Sequence, residues 1–99
     1  MIFEELKARV ELWGLGRGIV VPDNARVQLL KTMAELGELA DATIKNDRDG
    51  VIDGLGDVLV TLILYAKIEQ LDLVRCLETA WNEIRNRTGN TIDGVFIKD

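Results

Sequence analysis

The sequence contains no histidine, one cysteine, one proline and only two Trp, one Tyr and two Phe among 99 residues. Without histidine, no Ser-His or Cys-His catalytic arrangement and no imidazole metal site exists in this chain. The lone Cys76 excludes an intrachain disulfide and any thiolate zinc cluster built by one chain. It agrees with the cytoplasmic location expected here. Basic residues are also short: 12 Lys and Arg face 17 Asp and Glu, for a net charge of −5. That balance excludes a nucleic-acid binder held by phosphate contacts and a basic amphipathic membrane helix. The longest uncharged apolar run, residues 58–66, is far below the roughly 20 residues needed to span a bilayer. The opening MIFEELKARV carries charge from residue 4, so no targeting segment and no membrane partner are expected. What remains is 47% hydrophobic and 29% charged, the composition of a folded globular chain. Its length allows a single domain, residues 1–99, with one modest core.

Apolar spacing predicts an all-α fold. A first helix covers residues 2–13, with Phe3, Leu6, Val10 and Trp13 at helical intervals, and Gly14, Gly16 and Gly18 break it. The GLGRG segment lacks both a preceding strand and a following Lys-Ser/Thr, so it reads as a connector presenting Arg17 and not as a phosphate loop. A second helix starts after Pro22, with Asp23 or Asn24 as N-cap, and runs to about residue 46. It carries an apolar stripe (Leu29, Met33, Leu36, Ala40) and a polar one (Gln28, Lys31, Glu35, Glu38, Lys45). NDRDG, residues 46–50, is a turn, and a third helix covers residues 51–70. Its segment 58–66 is apolar on all sides, which predicts burial on all sides, in a subunit interface or a four-helix core. A fourth helix over residues 72–87, capped by Asp72 and ended by Gly89, turns Leu73, Cys76, Leu77, Ala80, Trp81 and Ile84 inward. In the tail, Asp93-Gly94 between two short apolar runs predicts a tight hairpin packed on a helix or a partner chain.

The candidate chemistry lies in two acidic pairs. Glu35 and Glu38 are spaced i, i+3 on helix two, and Asp53 and Asp57 i, i+4 on helix three. The short connection makes these helices antiparallel neighbours, so the two faces can meet. Acids at such spacing are ordinarily a solvated face. Brought together, however, two carboxylates about 6 Å apart repel by roughly 3 kcal/mol at an effective dielectric of about 20. Protons or metal ions relieve such repulsion, and an all-oxygen set suits Mg²⁺, Mn²⁺ or Ca²⁺. Gly37, Gly54 and Gly56 beside the acids point to close helix approach or to space kept for a ligand. Residues 35–57 hold seven acids and two bases, so the whole net charge of −5 resides in this one helix–turn–helix.

E-L-G-E on one helix followed by D-G-L-G-D-V-L-V-T-L on the next resembles the MazG-like all-α nucleoside triphosphate pyrophosphohydrolases, whose signature is E-x-x-E, a spacer, then E-x-x-D. The similarity runs from WGLGRGI to WNEIRNRTGN and the IDGVFIKD tail, and it is nearest to the short, single-domain members of phages and mobile elements. Gly54 stands where the signature has the Glu of its E-x-x-D half, and Ala34 where many members have a further Glu before E-x-x-E. The resemblance implies a four-helix bundle completed by oligomerisation, as a homodimer or homotetramer, with a short C-terminal hairpin. It implies hydrolysis of (deoxy)nucleoside triphosphates to monophosphate and pyrophosphate, with Mg²⁺, or Mn²⁺ in its place, held by Glu35, Glu38, Asp53 and Asp57. With no histidine available, the base is a carboxylate, Glu35 or Glu38, or a metal-bound hydroxide. Arg17, Lys45, Arg85 and Arg87 are the candidate phosphate contacts, Asn82 a nucleoside contact, and Trp13 or Trp81 a stacking surface. The competing reading is a helical dimerisation or regulatory module with a degenerate metal site.

Overall fold

Four helices and one hairpin make up the computed structural model, which describes residues 1–99. Helix α1 spans Phe3–Gly16. A 3₁₀ turn at Pro22–Asn24 leads into α2 (Ala25–Ile44), followed by α3 (Arg48–Ile68) and α4 (Leu73–Ile84). Strands β1 (Gly89–Ile92) and β2 (Val95–Lys98) close the chain as an antiparallel pair.

The α2–α3 pair is the frame. Buried and half-buried positions on α2 fall at Ala25, Gln28, Thr32, Glu35, Leu39 and Ala42, in alternating steps of three and four. On α3 they include Gly50, Gly54, Asp57, Thr61, Leu64 and Ile68, in steps of four and three. This 3.5-residue repeat is that of two helices lying side by side along a seam. The seam of α2 therefore takes Gln28 and Glu35 from the polar stripe and joins them to Thr32, Ala25, Leu39 and Ala42, while Lys31, Glu38 and Lys45 stay exposed. Small and polar residues let the backbones approach, and their hydrogen bonds are met locally: the Thr32 hydroxyl donates to the Gln28 carbonyl (3.1 Å), and Gln28 Nε2 reaches the Thr61 carbonyl (3.5 Å). The apolar stripe Leu29, Met33 and Leu36 faces outward and is 44–66% exposed.

The turn between these helices is tighter than NDRDG alone suggests. Asn46 takes the left-handed conformation (φ 55°), which Asn tolerates well. The Asp47 carboxylate then accepts the Gly50 amide at 3.0 Å, so α3 starts at Arg48 and not at residue 51. At the start of α2, Asn24 holds the cap position, but its side chain donates backward to the Ile19 carbonyl (2.9 Å) and leaves the helix end uncapped.

The core lies in the second half of α3, at Ile63, Leu64, Ala66 and Ile68. The apolar segment 58–66 is thus largely covered within the chain, with Leu59 its one exposed member. Helix α1 runs past Trp13 to Gly16 and crosses α3 so closely that a β-carbon at Gly14 would collide with Leu64. Lys7 of α1 is buried among Asp72 (3.4 Å), Glu11 (3.6 Å) and Glu4 (3.8 Å). Asp72 also caps α4, accepting the Val74 amide at 2.9 Å, so one carboxylate ties α1 to the start of α4.

Beyond that tie α4 leaves the body. Leu73 is half-buried, but Cys76, Leu77, Ala80, Trp81 and Ile84 are exposed, so the face read as inward has no cover within the chain. The helix ends at Ile84, ahead of Arg85 and Arg87. The hairpin forms at the expected place, with Asp93 (φ 51°) and Gly94 (φ 81°) both in the left-handed region of a type I′ turn. Its strands are exposed apart from half-buried Gly89. The radius of gyration is 15.8 Å, against about 13 Å for a compact chain of this length. No helix is long and apolar enough to cross a membrane.

Candidate active site

At the turn end of the α2–α3 pair an acidic cleft opens, of about 260 Å³. Glu38 and Asp41 line it from α2, Asp53 and Asp57 from α3, and Asp47 from the turn, with Lys45 the one cation among them. The antiparallel seam produces this: Gly54 packs on Leu39, which sets Glu38 against Asp57. Glu35 lies one turn along α2 from Glu38, on the buried seam. Of the four expected ligands, three therefore share a cleft and the fourth sits behind them.

The local electrostatics show the crowding. The Glu38 carboxyl is raised above its ordinary pKa, first by a shared hydrogen bond with Glu35, then by the charge of Glu35, by burial and by Asp57, with Lys31 opposing. Two ionised carboxylates have no proton to share. In that state Oε2 of Glu35 is buried without any partner, while Lys31 Nζ lies 3.1 Å from Oε1. A buried, unsatisfied carboxylate oxygen beside Glu38, with Asp53 and Asp57 in the adjoining cleft, is the kind of oxygen set that suits a hard divalent cation. As the side chains stand, no three acids converge tightly enough to enclose one ion. Glu38 and Asp53 are exposed and free to turn inward, whereas Glu35 is fixed by the seam. The residues suit such an ion by the chemistry of their oxygens and share one end of the helix pair, but as placed they do not enclose it.

Of the expected substrate contacts, Lys45 alone reaches this cleft, where it pairs with Asp41 at 2.9 Å. Arg17 caps α1 and stacks over Trp13, 5.8 Å from the ring centre. Trp13 itself lines a separate apolar groove with Leu6, Val10 and Val60. Asn82 is exposed on α4, Arg85 caps that helix, and Arg87 pairs loosely with Glu83 at 4.0 Å. None of these five lines the acidic cleft of its own chain. Asp41 and Lys31 were not singled out by spacing, although both sit four residues from a partner of opposite charge, and that interval was the available signal.

Gly54 and the other glycines separate cleanly. A β-carbon at Gly54 would press on Leu39, whereas Gly37 and Gly56 face open space. Close helix approach accounts for the first and not for the other two.

Residues 25–92, the stretch that carries every acid of the cleft, match the MazG nucleotide pyrophosphohydrolase domain. The chain belongs to that family. The MazG match begins at the first residue of α2 and ends with β1, so α1 lies outside it. An uncharacterized 18.2 kDa protein from the rep–hol intergenic region of Haemophilus phage HP1 (strain HP1c1) is 32% identical over 71 residues, covering 72% of this MazG chain and 44% of the phage protein. The chain thus spans less than half the length of that relative. No solved structure matches it.

Proposed function

We propose that this MazG chain, acting as one domain, hydrolyses (deoxy)nucleoside triphosphates to the monophosphate and pyrophosphate with Mg²⁺, and so removes unwanted nucleotides from the pool. The observation that carries this reading is the pairing of Glu38, Asp53 and Asp57 in one cleft with the unsatisfied carboxylate of Glu35 behind them. A divalent cation held there would offset the carboxylates and polarise the phosphoryl oxygens. Glu35, fixed in the seam, would anchor it, with Glu38, Asp53 and Asp57 closing from the cleft walls. Glu35 or Glu38 would take a proton from the attacking water. Lys45, at the rim, would meet phosphate oxygens once free of Asp41.

The active form in this reading is a homodimer or a pair of dimers. Only four apolar residues are buried in the single chain, while Leu29, Met33 and Leu36 of α2, Leu55 and Leu59 of α3, and Leu77 and Trp81 of α4 are exposed. Contiguous apolar stripes of this extent mark an interface. Arg17, Asn82, Arg85, Arg87 and Trp13, remote from the cleft of their own chain, would serve the cleft of a partner. The exposed thiol of Cys76 suits the reducing cytoplasm.

The test is a panel of ribo- and deoxyribonucleoside triphosphates with Mg²⁺ or Mn²⁺, read as pyrophosphate release. Release from at least one nucleotide is expected. The absence of release from every nucleotide would favour a second reading, a dimerisation or regulatory module, for which the observation is the failure of any three acids to converge, with Gly54 and Ala34 in place of acids.

A further inference from the structure

We propose that Lys31 is a built-in counter-ion of the acidic site: its ammonium holds Glu35 in the metal-free chain and yields that carboxylate when a divalent cation binds. The inference rests on the metal reading of the cleft and goes beyond it by assigning a role to a cation that is no ligand.

Glu35 is 8% exposed, the one buried acid of the chain. Its oxygens are unequally served, with Oε1 3.1 Å from Lys31 Nζ and Oε2 partnerless. A buried carboxylate left wholly unpaired is strongly unfavourable, and Glu38, itself near Asp57, adds negative charge beside it. Lys31 is the cation paired with it. The Lys31 side chain is itself 59% exposed, so it reaches in from solvent with its ammonium still partly hydrated and can withdraw at little cost. The order of the pair supports the same role. Lys four residues before Glu is the weaker arrangement on a helix, because each charge faces the less favourable end of the dipole. The pair is thus poorly explained as a support for α2 and well explained as charge balance for Glu35. A single positive charge on one oxygen is a weaker substitute for a divalent cation, which the second oxygen leaves room for. Lys31 therefore competes with the metal for Glu35, and metal-free stability is gained at the expense of apparent metal affinity.

The experiment compares wild type, Lys31→Met and Glu35→Gln in Mn²⁺ titrations followed by electron paramagnetic resonance, without nucleotide, alongside melting curves with and without Mg²⁺. Met has a helix propensity close to that of Lys and nearly its reach, and it removes the charge. The expected result for Lys31→Met is Mn²⁺ binding tighter by roughly two- to five-fold, the range set by the worth of an exposed ion pair. Its metal-free Tm is lower and its gain in Tm on adding Mg²⁺ larger than that of wild type. Glu35→Gln loses the binding. Equal Mn²⁺ affinity in wild type and Lys31→Met would overturn the inference and leave the metal site standing. Weaker affinity in Lys31→Met would also overturn it, by making Lys31 a residue that positions Glu35. The absence of Mn²⁺ binding in wild type and Lys31→Met alike would overturn the metal reading, and this inference with it.

Discussion

Gly54 of α3 lies flat against Leu39 of α2: a β-carbon on residue 54 would stand 3.1 Å from Leu39 Cβ and 3.2 Å from Leu39 Cα. This contact sets the separation of the helices at the cleft. A side chain at 54 would be directed into the neighbouring helix, whereas Asp53 lines the cleft. Gly54→Ala gains about 1 kcal/mol of helix propensity against a slight squeeze, so its melting temperature is expected to stay near that of wild type. Gly54→Val overpacks the seam and is expected to cost about 1–3 kcal/mol in urea unfolding. Pyrophosphate release is expected to fall further than stability, because the helices that carry Glu38 and Asp57 move apart.

Glu38→Gln and Asp57→Asn are each expected to abolish pyrophosphate release while leaving the helical circular dichroism intact. For Glu38→Gln the metal-free Tm is expected to rise, because repulsion from Glu35 and Asp57 disappears. Mn²⁺ affinity is expected to fall by about an order of magnitude or more with the lost ligand charge. Full activity in either variant would contradict the assignment of the cleft.

The Lys7–Asp72 tie predicts a pH dependence away from the cleft. Burial alone would lower the Lys7 pKa, but Glu11, Asp72 and Glu4 outweigh it and hold the ammonium above its ordinary value. The folded chain then binds that proton more tightly than the unfolded one, so the stabilisation is full below 10.5 and is lost as pH rises through the folded value. For Asp72 the Val74 amide lowers the pKa most, against an upward push from burial and with further lowering by Lys7. Its stabilisation is full above 3.8 and is lost as pH falls through the folded value. The gap in urea midpoint between wild type and Lys7→Met is therefore expected to be widest between those limits and to narrow toward both.

The outward stripe of α2 predicts the assembly state. With Met33 and Leu36 both changed to Glu, the mass by light scattering is expected to drop to that of the 11.1 kDa chain, with helix content retained. A wild-type protein already monomeric at micromolar concentration would show that these stripes pair with something other than a second copy.

The element order was legible in the sequence because its signals are local. Asp72 as a cap, Asp93-Gly94 as a left-handed turn and the 3.6-residue periodicities depend on neighbours within a few positions. The ends of helices were less legible. Asp47 reaching the Gly50 amide extends α3 backward, and Asn24 turning to Ile19 leaves α2 uncapped; both are choices among partners equally near in sequence. Facing was the least legible. An apolar stripe such as Leu29–Met33–Leu36 looks like a core face, yet the helix buries Gln28, Thr32 and Glu35 instead.

The sequence by itself determined that four helices form, that a −5 charge is concentrated in one helix–turn–helix, and that Glu35, Glu38, Asp53 and Asp57 are its candidate ligands. These readings rest on composition and spacing alone, without reference to any distant contact, and the ligand set stands as an expectation. Only the tertiary structure decided which side of α2 meets α3, that Glu35 is buried with one oxygen unpaired, and that Lys31 serves the other. It also decided that Lys45 stands at the cleft while Arg17, Arg85 and Arg87 do not. The reason is that both stripes of α2 repeat with the same period. Which face packs depends on how closely the facing helix can approach, and Gly54 makes that approach to Leu39, on a face that lies between the two stripes.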